Sequence, residues 1–381
     1  MNVAEITTEE LLKAIERGQE VQILDVRAPH RLATGHIDAV PEERFFNFPG
    51  SQIMAMEDVK EATGLDPKNP VAVVCGHGNA SKPIATLLSG MGFDAKSLRG
   101  GMAGWMMGAV GRTLKTPDSL DHFVQFDRVG KGSLAYMLVS EGKALVIDPA
   151  RNINPYLDLA KELDAEIVGV ADTHVHADYI SGATALQQEL NIPYYLHPKD
   201  NAHVYEGTPG KLDITPVEDG AVIEFGRATI TVMHTPGHTE GSVVFRLGDD
   251  AAFTGDFIFV ESLGRPDLGG QVGPWTKLLW ASLERAKKEL QNHTMIYPAH
   301  YSSDKERQEN RSIGAAWGDI LAANEAVQIA DESQFTEWVE SRNANFPEAY
   351  RSIKVINVGL LSVTPAEAEV LEVGKNECAV V

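Results

Sequence analysis

Between positions 173 and 179 the chain reads Thr173-His174-Val175-His176-Ala177-Asp178-Tyr179, two histidines one residue apart with an aspartate two residues on. Such spacing is rare by chance, and imidazole with carboxylate is a donor set for zinc, iron or manganese. Three further segments follow in order: Thr235-Pro236-Gly237-His238, Phe253-Thr254-Gly255-Asp256 and Tyr297-Pro298-Ala299-His300. His174, His176, His238, Asp256 and His300 each stand where a predicted strand gives way to a loop. Loops held at strand ends by a rigid scaffold are where ligands from distant sequence converge. One histidine alone reads as a packed or surface residue, as His30, His122, His197, His203 and His293 do here. The ordered set, with its Gly-His and Gly-Asp contexts, requires a fold that gathers strand ends around a metal.

The order of elements divides the chain. Thr7 and Glu10 form a capping box ahead of Leu11-Leu12-Lys13-Ala14-Ile15, and Gly18 ends that helix. Strands are expected over 21–26 and 71–74, the second running into Cys75 and a glycine-rich turn before a helical run closed by Gly90 and Gly92. Strand, turn and helix in repetition predict an α/β domain with a parallel sheet over residues 1–111. The polar stretch 112–121, which contains Pro117, reads as a linker. Beyond it, short strands are expected at 123–126, 135–139 and 144–147, a helix at 155–163, and a strand at 167–170 that delivers His174. A hairpin at 223–225 and 228–233 and strands at 243–247 and 251–253 complete the set. Strand clusters with interspersed helices suit a two-sheet sandwich flanked by helices over 122–363, with 364–381 as a C-terminal tail.

Composition narrows the partners. A chain of 381 residues suits two domains, and 43% hydrophobic content supplies real cores. A net charge of −21 argues against nucleic acid or an anionic membrane surface. No run reaches the roughly 18 apolar residues of a spanning helix. The start, Met1-Asn2-Val3-Ala4-Glu5, lacks the features of a signal or transit peptide. Two cysteines, Cys75 and Cys378, form no disulfide framework, so a cytoplasmic location is expected. Whether the chain forms a homo-oligomer is left open.

Residues from about 122 to 310 resemble the persulfide dioxygenases of the metallo-β-lactamase superfamily and are similar to glyoxalase II. The segments that carry the resemblance are 172–182, 234–242, 254–260 and Gly264-Arg265-Pro266-Asp267-Leu268. It implies an αββα sandwich and one Fe(II) held by His174, His238 and Asp256, with His176 close by as a further candidate ligand. The superfamily pattern His-x-His-x-Asp-His has a histidine where Tyr179 stands, and the complete set holds two metals. Its loss tilts the reading to one metal, with Asp178 and His300 orienting waters or ligands around it and Tyr179 packed beside it. Two histidines and one carboxylate with open positions are what non-haem Fe(II) oxygenases use to bind O₂. Arg265 offers a guanidinium fork either to a carboxylate of a thiol substrate or to Asp267 of its own loop. Tyr301 is a substrate-binding candidate of the same kind.

Residues 1 to about 111 resemble a rhodanese (sulfurtransferase) domain through Ile23-Leu24-Asp25-Val26-Arg27-Ala28, Gly35-His36-Ile37, the stretch 73–81 and the stretch 98–105. The resemblance implies that Cys75 carries a sulfane sulfur. In Cys75-Gly76-His77-Gly78-Asn79-Ala80-Ser81, backbone N–H groups and a helix N-terminus favour a thiolate. Gly76 and Ala80 stand where arginines are often found, which disfavours thiosulfate; His77 or Lys82 are the available replacements. Asp25 and Arg27 read as a structural ion pair, and Cys378 as a thiol without function. The two resemblances meet in oxidation of a low-molecular-weight thiol persulfide by O₂ to sulfite, coupled to sulfur transfer at Cys75. The alternative is a dizinc glyoxalase II-like thioester hydrolase with a non-catalytic binding module at residues 1–111.

Overall fold

The computed structural model describes residues 3–56, 58–203, 206–267, 272–342 and 347–380, so Met1, Asn2, Leu268 and Val381 lie outside the described residues. The chain divides into two compact units. The first comprises residues up to Val110 with Arg128–Lys131 and Val373–Lys375. The second comprises Gly111–Asp127, Gly132–Glu372 and the segment from Asn376 onward.

In the first unit, strands β1 (Glu5–Ile6), β2 (Gln22–Asp25), β3 (Phe45–Asn47), β4 (Val71–Val74) and β5 (Ala95–Leu98) form one sheet in the order β1-β5-β4-β2-β3. Every pairing in it is parallel. Parallel sheets are covered on both faces, which is why β2 and β4 are buried throughout. Leu24, Val73, Ile84 and Leu88 pack on one face, and Leu11, Ile23, Val74, Leu98 and Trp105 on the other. The capping box forms as expected: the Thr7 hydroxyl accepts from Glu10 N at 3.1 Å and the Glu10 carboxylate accepts from Thr7 N at 2.8 Å.

The second unit begins with β6 (Val110–Thr113), β7 (His122–Arg128), β8 (Ser133–Ser140), β9 (Lys143–Ile147), β10 (Glu166–Ala171) and β11 (Tyr194–Leu196). A short antiparallel pair, β12 (Ala202–His203) and β13 (Thr208–Pro209), stands apart from the main sheets, and β14 (Thr215–Pro216) follows. Then come β15 (Val222–Phe225), β16 (Ala228–His234), β17 (Val243–Leu247), β18 (Ala251–Gly255), β19 (Met295–Pro298) and β20 (Ala315–Ala316). One sheet has the order β14-β11-β10-β9-β8-β7-β6, and the other runs β15 to β20 in sequence order. Between them lies an aromatic-rich core that includes Phe123, Tyr136, Ile147, Ile230, Phe245, Phe253 and Tyr297. The second sheet's outer face is covered through Leu279 and Leu283 of the helix Val272–Glu289, with Trp317, Ile320 and Phe335 of later helices. The helices Asn154–Glu162 and Ala183–Leu190 pack on the first sheet. Helix, sheet, sheet, helix is the layering expected from the sequence.

Two expectations are corrected. The stretch read as a linker over 112–121 begins inside β6, with Arg112 buried and its Nε 2.8 Å from Asp127 Oδ2. Only its first two residues belong to the strand; positions 114–120 carry no helix or strand. The stretch read as a tail from 364 onward contains the helix Pro365–Leu371, opened by a Thr364–Glu367 capping box, and Cys378, Ala379 and Val380 are buried. Among the described residues no helix is long and apolar enough to cross a membrane.

Candidate metal centre and sulfur site

Five strand ends supply the cluster. Asp148 follows β9, His174 follows β10, His238 follows β16, Asp256 follows β18 and His300 follows β19. Gly255, at φ +54°, turns the chain into Asp256 where any Cβ would sit 2.3 Å from Thr173 Oγ1, so only glycine fits. Asp200 joins two of the loops: its carboxylate accepts from Val175 N at 2.7 Å, from Thr239 Oγ1 at 2.8 Å and from Gly241 N at 2.8 Å.

His174, His238 and Asp256 converge, with ligand atoms within 4.8 Å of one another and all three side chains buried. His174 Nε2 and His238 Nε2 each lie 3.5 Å from Asp256 Oδ2. That is the separation of donors sharing one ion at about 2 Å. The opposite ring nitrogen of each histidine is tied down. His238 Nδ1 donates to Arg265 O at 2.9 Å, and His300 Nδ1 donates to Gly132 O at 3.1 Å. His174 Nδ1 lies 3.0 Å from Thr173 Oγ1, which in turn donates to Asp148 Oδ2 at 2.9 Å. The protons therefore sit on Nδ1, and the Nε2 lone pairs of His174, His238 and His300 point inward, buried and without a hydrogen-bond partner, as are both Asp256 oxygens. Burying polar atoms this way is costly unless something fills their coordination. These residues fit a divalent metal, with the ring orientation fixed from behind.

Electrostatics agree. Burial, above all, pushes His238 down to about 3, so it is neutral and able to ligate. Burial opposes ionisation of Asp256, yet His300 and His174 outweigh it and hold the carboxyl well below its usual range. Asp256 Oδ1 lies 3.5 Å from His300 Nε2, which is itself 3.3 Å from Asp178 Oδ1. Burial works against a charged His300, and Asp178 and Asp256 raise it.

His176 belongs to a different group. Its Nε2 is 3.3 Å from Asp148 Oδ1, 3.8 Å from Asp172 Oδ1 and 3.0 Å from Tyr179 Oη, with the Tyr179 ring stacked on it. Against its burial, the two carboxylates hold it well above the usual imidazole range. His176 thus sits with Asp148 and Asp172 in a buried group of its own, apart from the group of His174, His238 and Asp256. Its Nδ1 is buried without a hydrogen-bond partner. Tyr179 packs beside the site as expected, and Asn357 fixes this turn by donating to His176 O at 2.9 Å and Tyr179 O at 2.8 Å.

The two substrate-binding candidates are committed elsewhere. Arg265 donates from Nε to Asp267 Oδ1 at 2.9 Å and from Nη2 to Asp267 Oδ2 at 2.5 Å, the second of its two sequence readings. Tyr301 Oη donates to Asp127 Oδ1 at 3.0 Å and accepts from Arg307 Nη2 at 2.6 Å, inside a buried ionic network. Asp148 and Asp172 escaped the sequence reading. Asp148, after an apolar strand and at φ +52°, holds a sparsely populated conformation of the kind concentrated at working sites.

In the first unit, Cys75 follows β4. Its Sγ is 3.2 Å from Ser81 Oγ, which is 2.8 Å from Ser97 Oγ, and all three side chains are buried. Burial pushes the thiol up, but the Ser81 hydroxyl and the backbone amides of Ser81, His77 and Gly78 outweigh it and hold Cys75 below its ordinary value. The helix Gly101–Met107 clamps the loop, Met102 N donating to Cys75 O at 2.8 Å and Ala103 N to Gly76 O at 3.0 Å. Lys82 pairs with Glu5 at 3.1 Å, and Arg27 grips Asp25 with Nη2 at 2.7 Å from Oδ2.

Residues 128–303 match the metallo-beta-lactamase superfamily and residues 7–107 the rhodanese-like domain. The chain belongs to the metallo-beta-lactamase superfamily and carries a rhodanese-like domain. It is 34% identical over 160 residues to the persulfide dioxygenase ETHE1, mitochondrial, of Homo sapiens, covering 42% of this chain and 59% of that one. It is 28% identical to the probable polyketide biosynthesis zinc-dependent hydrolase BaeB of Bacillus velezensis, over 54% of this chain and 84% of that one. A metallo-beta-lactamase structure from Staphylococcus aureus subsp. aureus COL superposes with a TM-score of 0.56 at 28% identity, covering 64% of this chain and 73% of that one.

Proposed function

We propose that the second unit oxidises a low-molecular-weight thiol persulfide with O₂, R–S–SH + O₂ + H₂O → R–SH + SO₃²⁻ + 2 H⁺, at one Fe(II) held by His174, His238 and Asp256. The observation that carries the reading is the convergence of two unpartnered imidazole nitrogens on one carboxylate, with Tyr179 in place of a further ligand. When bound there, ferrous iron supplies redox capacity and open positions for small ligands. The chain's own residues do the positioning. Asp148 through Thr173 orients His174, the Arg265 carbonyl orients His238, and burial excludes bulk water from the donors.

Cys75 would pass sulfane sulfur between donor and acceptor. Its thiolate attacks the outer sulfur of R–S–SH, giving Cys75–S–SH and RS⁻; after proton loss, sulfite takes that sulfur to give thiosulfate and restores the thiolate. The presence of a rhodanese-like domain in the same chain supports a shared substrate class. The partners are then a thiol persulfide and O₂, with no role for nucleic acid or membrane. Neither cysteine is in a disulfide, which favours a reducing, cytoplasmic setting.

Similarity to a zinc-dependent hydrolase supports a second reading, a dizinc thioester hydrolase that uses a metal-activated water. O₂ consumption by iron-loaded protein, measured over a panel of thiol persulfides, separates the two. We expect about one iron per chain and O₂ uptake that His174→Ala abolishes together with the iron. Two tightly held zinc ions with thioester turnover and no O₂ uptake would sink the dioxygenase reading.

A further inference from the structure

The Cys75 loop has an electrostatic gap. Gly76 and Ala80 bring no charge, Lys82 is paired with Glu5 at 3.1 Å, and Arg27 is paired with Asp25 at 2.7 Å. His77 aids the sulfur through its backbone amide. A doubly charged sulfur acceptor, approaching a chain of net charge −21, therefore meets little fixed positive charge on the loop itself.

A cation stands on the neighbouring wall. All strands of this sheet are parallel, so their carboxyl ends share one edge, the edge at which such sheets bind ligands. Arg99 is the first residue after β5, the strand beside β4. The segment that follows it is laid on the Cys75 loop, Met102 N donating to Cys75 O at 2.8 Å and Ala103 N to Gly76 O at 3.0 Å. A Cβ at Gly101 would sit 2.2 Å from Cys75 O, and one at Gly78 2.7 Å from Gly100 N, so only glycines allow the approach. Arg99 N donates to Ile6 O at 2.9 Å, which fixes the backbone, while the side chain is exposed. Among the described residues no hydrogen bond or ion pair engages its guanidinium. Glu10 is held below its ordinary range first by the Thr7 amide and hydroxyl, and Arg99 adds only a weaker pull. Arg31, also exposed at this edge, sits in the turn Pro29–Thr34, which no described backbone hydrogen bond joins to the Cys75 loop.

We propose that Arg99 is the specificity residue of the Cys75 site, holding a sulfur oxyanion, sulfite, beside the sulfur-loaded cysteine. A guanidinium presents parallel N–H groups that match two oxygens of such an anion. The step it serves is Cys75–S–S⁻ + SO₃²⁻ → Cys75–S⁻ + S₂O₃²⁻. The lone pair on the sulfite sulfur forms the new S–S bond, and the electron pair of the broken S–S bond stays on Cys75 as thiolate. A cation at that point offsets the repulsion between the persulfide anion and the incoming dianion. This role rests on the sulfur-transfer reading of Cys75 and extends it to the choice of acceptor.

The test is single-turnover discharge of the full-length protein under anaerobic conditions, so that O₂ chemistry is silent. A thiol persulfide loads Cys75, seen as an added sulfur by mass spectrometry on the peptide that contains it, and excess donor is removed. The loaded protein is then discharged with sulfite or with 2-mercaptoethanol, which offers no oxyanion. We expect Arg99→Ala to lower the ratio of sulfite to 2-mercaptoethanol rates by roughly tenfold or more, through a higher half-saturating sulfite concentration and not a slower limiting step. Arg99→Lys, which keeps the charge and loses the fork, should recover part of the ratio, and added salt should shrink the difference from wild type. Loading of each variant also reports an intact Cys75 loop. A ratio in Arg99→Ala within about twofold of wild type, or the loss appearing in Arg31→Ala instead, overturns the assignment. Failure of wild-type Cys75 to gain sulfur would sink the transfer reading, and this role with it.

Discussion

Replacing Ser81 by alanine should blunt Cys75 by a calculable amount. The Ser81 hydroxyl sits 3.2 Å from the sulfur, itself braced by Ser97 at 2.8 Å, and it is the leading influence that lowers the thiol against the opposing effect of burial. A hydrogen bond to a charged group contributes about 1.5–3 kcal/mol. The loop must admit substrate, so the lower end applies. At about 1.4 kcal/mol per unit, the midpoint should rise by about one pH unit. The sign follows from the thiolate being the favoured form. The reactive fraction persists below the ordinary thiol range and is lost as pH falls through the lowered midpoint, so the variant loses it at a higher pH. The assay is iodoacetamide trapping across pH, read by mass spectrometry on the peptide that contains Cys75, which keeps Cys378 out of the signal. Ser97→Ala should shift the midpoint in the same direction by less, because it acts through Ser81. A Ser81→Ala midpoint within about 0.3 units of wild type would show that the backbone amides alone hold the thiolate.

Cys75→Ser should leave O₂ uptake with a supplied persulfide nearly intact and eliminate thiosulfate; thiosulfate at the wild-type rate would leave residues 1–111 as a binding module. Gly264→Ala places a Cβ 1.5 Å from Asp256 O and 3.3 Å from His238 Nδ1, so bound metal should vanish and stability should fall by about 3 kcal/mol in denaturant melts. Full metal loading in that variant would contradict the described loop. Tyr179→His adds an imidazole near Asp178 and His300 and removes the hydroxyl from His176. Bound metal should rise and O₂ uptake fall, whereas unchanged metal content would show that geometry, not the missing imidazole, limits the site.

The candidate donors at 238, 256 and 300 were readable because each follows an apolar strand in a glycine- or proline-marked context, and His174 through its spacing from His176 and Asp178. Both domains were readable from the switch between strand–helix repetition and strand clusters. Other features depended on contacts that local pattern does not encode. Asp148 meets Thr173 across 25 positions of chain, and nothing beside it in sequence distinguishes it from any aspartate after a strand. Cys378 lies near Asp178 and His300, a meeting of distant positions that nothing beside it in sequence marks. His176 shares the spacing of His174, but that spacing does not reveal that Asp148 and Asp172 face its Nε2. The Thr364–Glu367 capping box, by contrast, was as legible as the one at Thr7 and marks an ordered helix in what read as a tail.

The inward-facing atoms of His174, His238, His300 and Asp256 also bear on how much folded protein a cell can keep. Each such atom left without a partner costs about 1–3 kcal/mol, so the metal-free chain folds against a local penalty. An ion that binds only the native state adds stability by mass action, about 4 kcal/mol when free metal exceeds the dissociation constant by about a thousandfold. The melting temperature is then a property of the growth medium as much as of the polypeptide. Metal starvation should reveal itself as faster proteolysis and falling abundance, and not solely as a population of intact, unloaded protein.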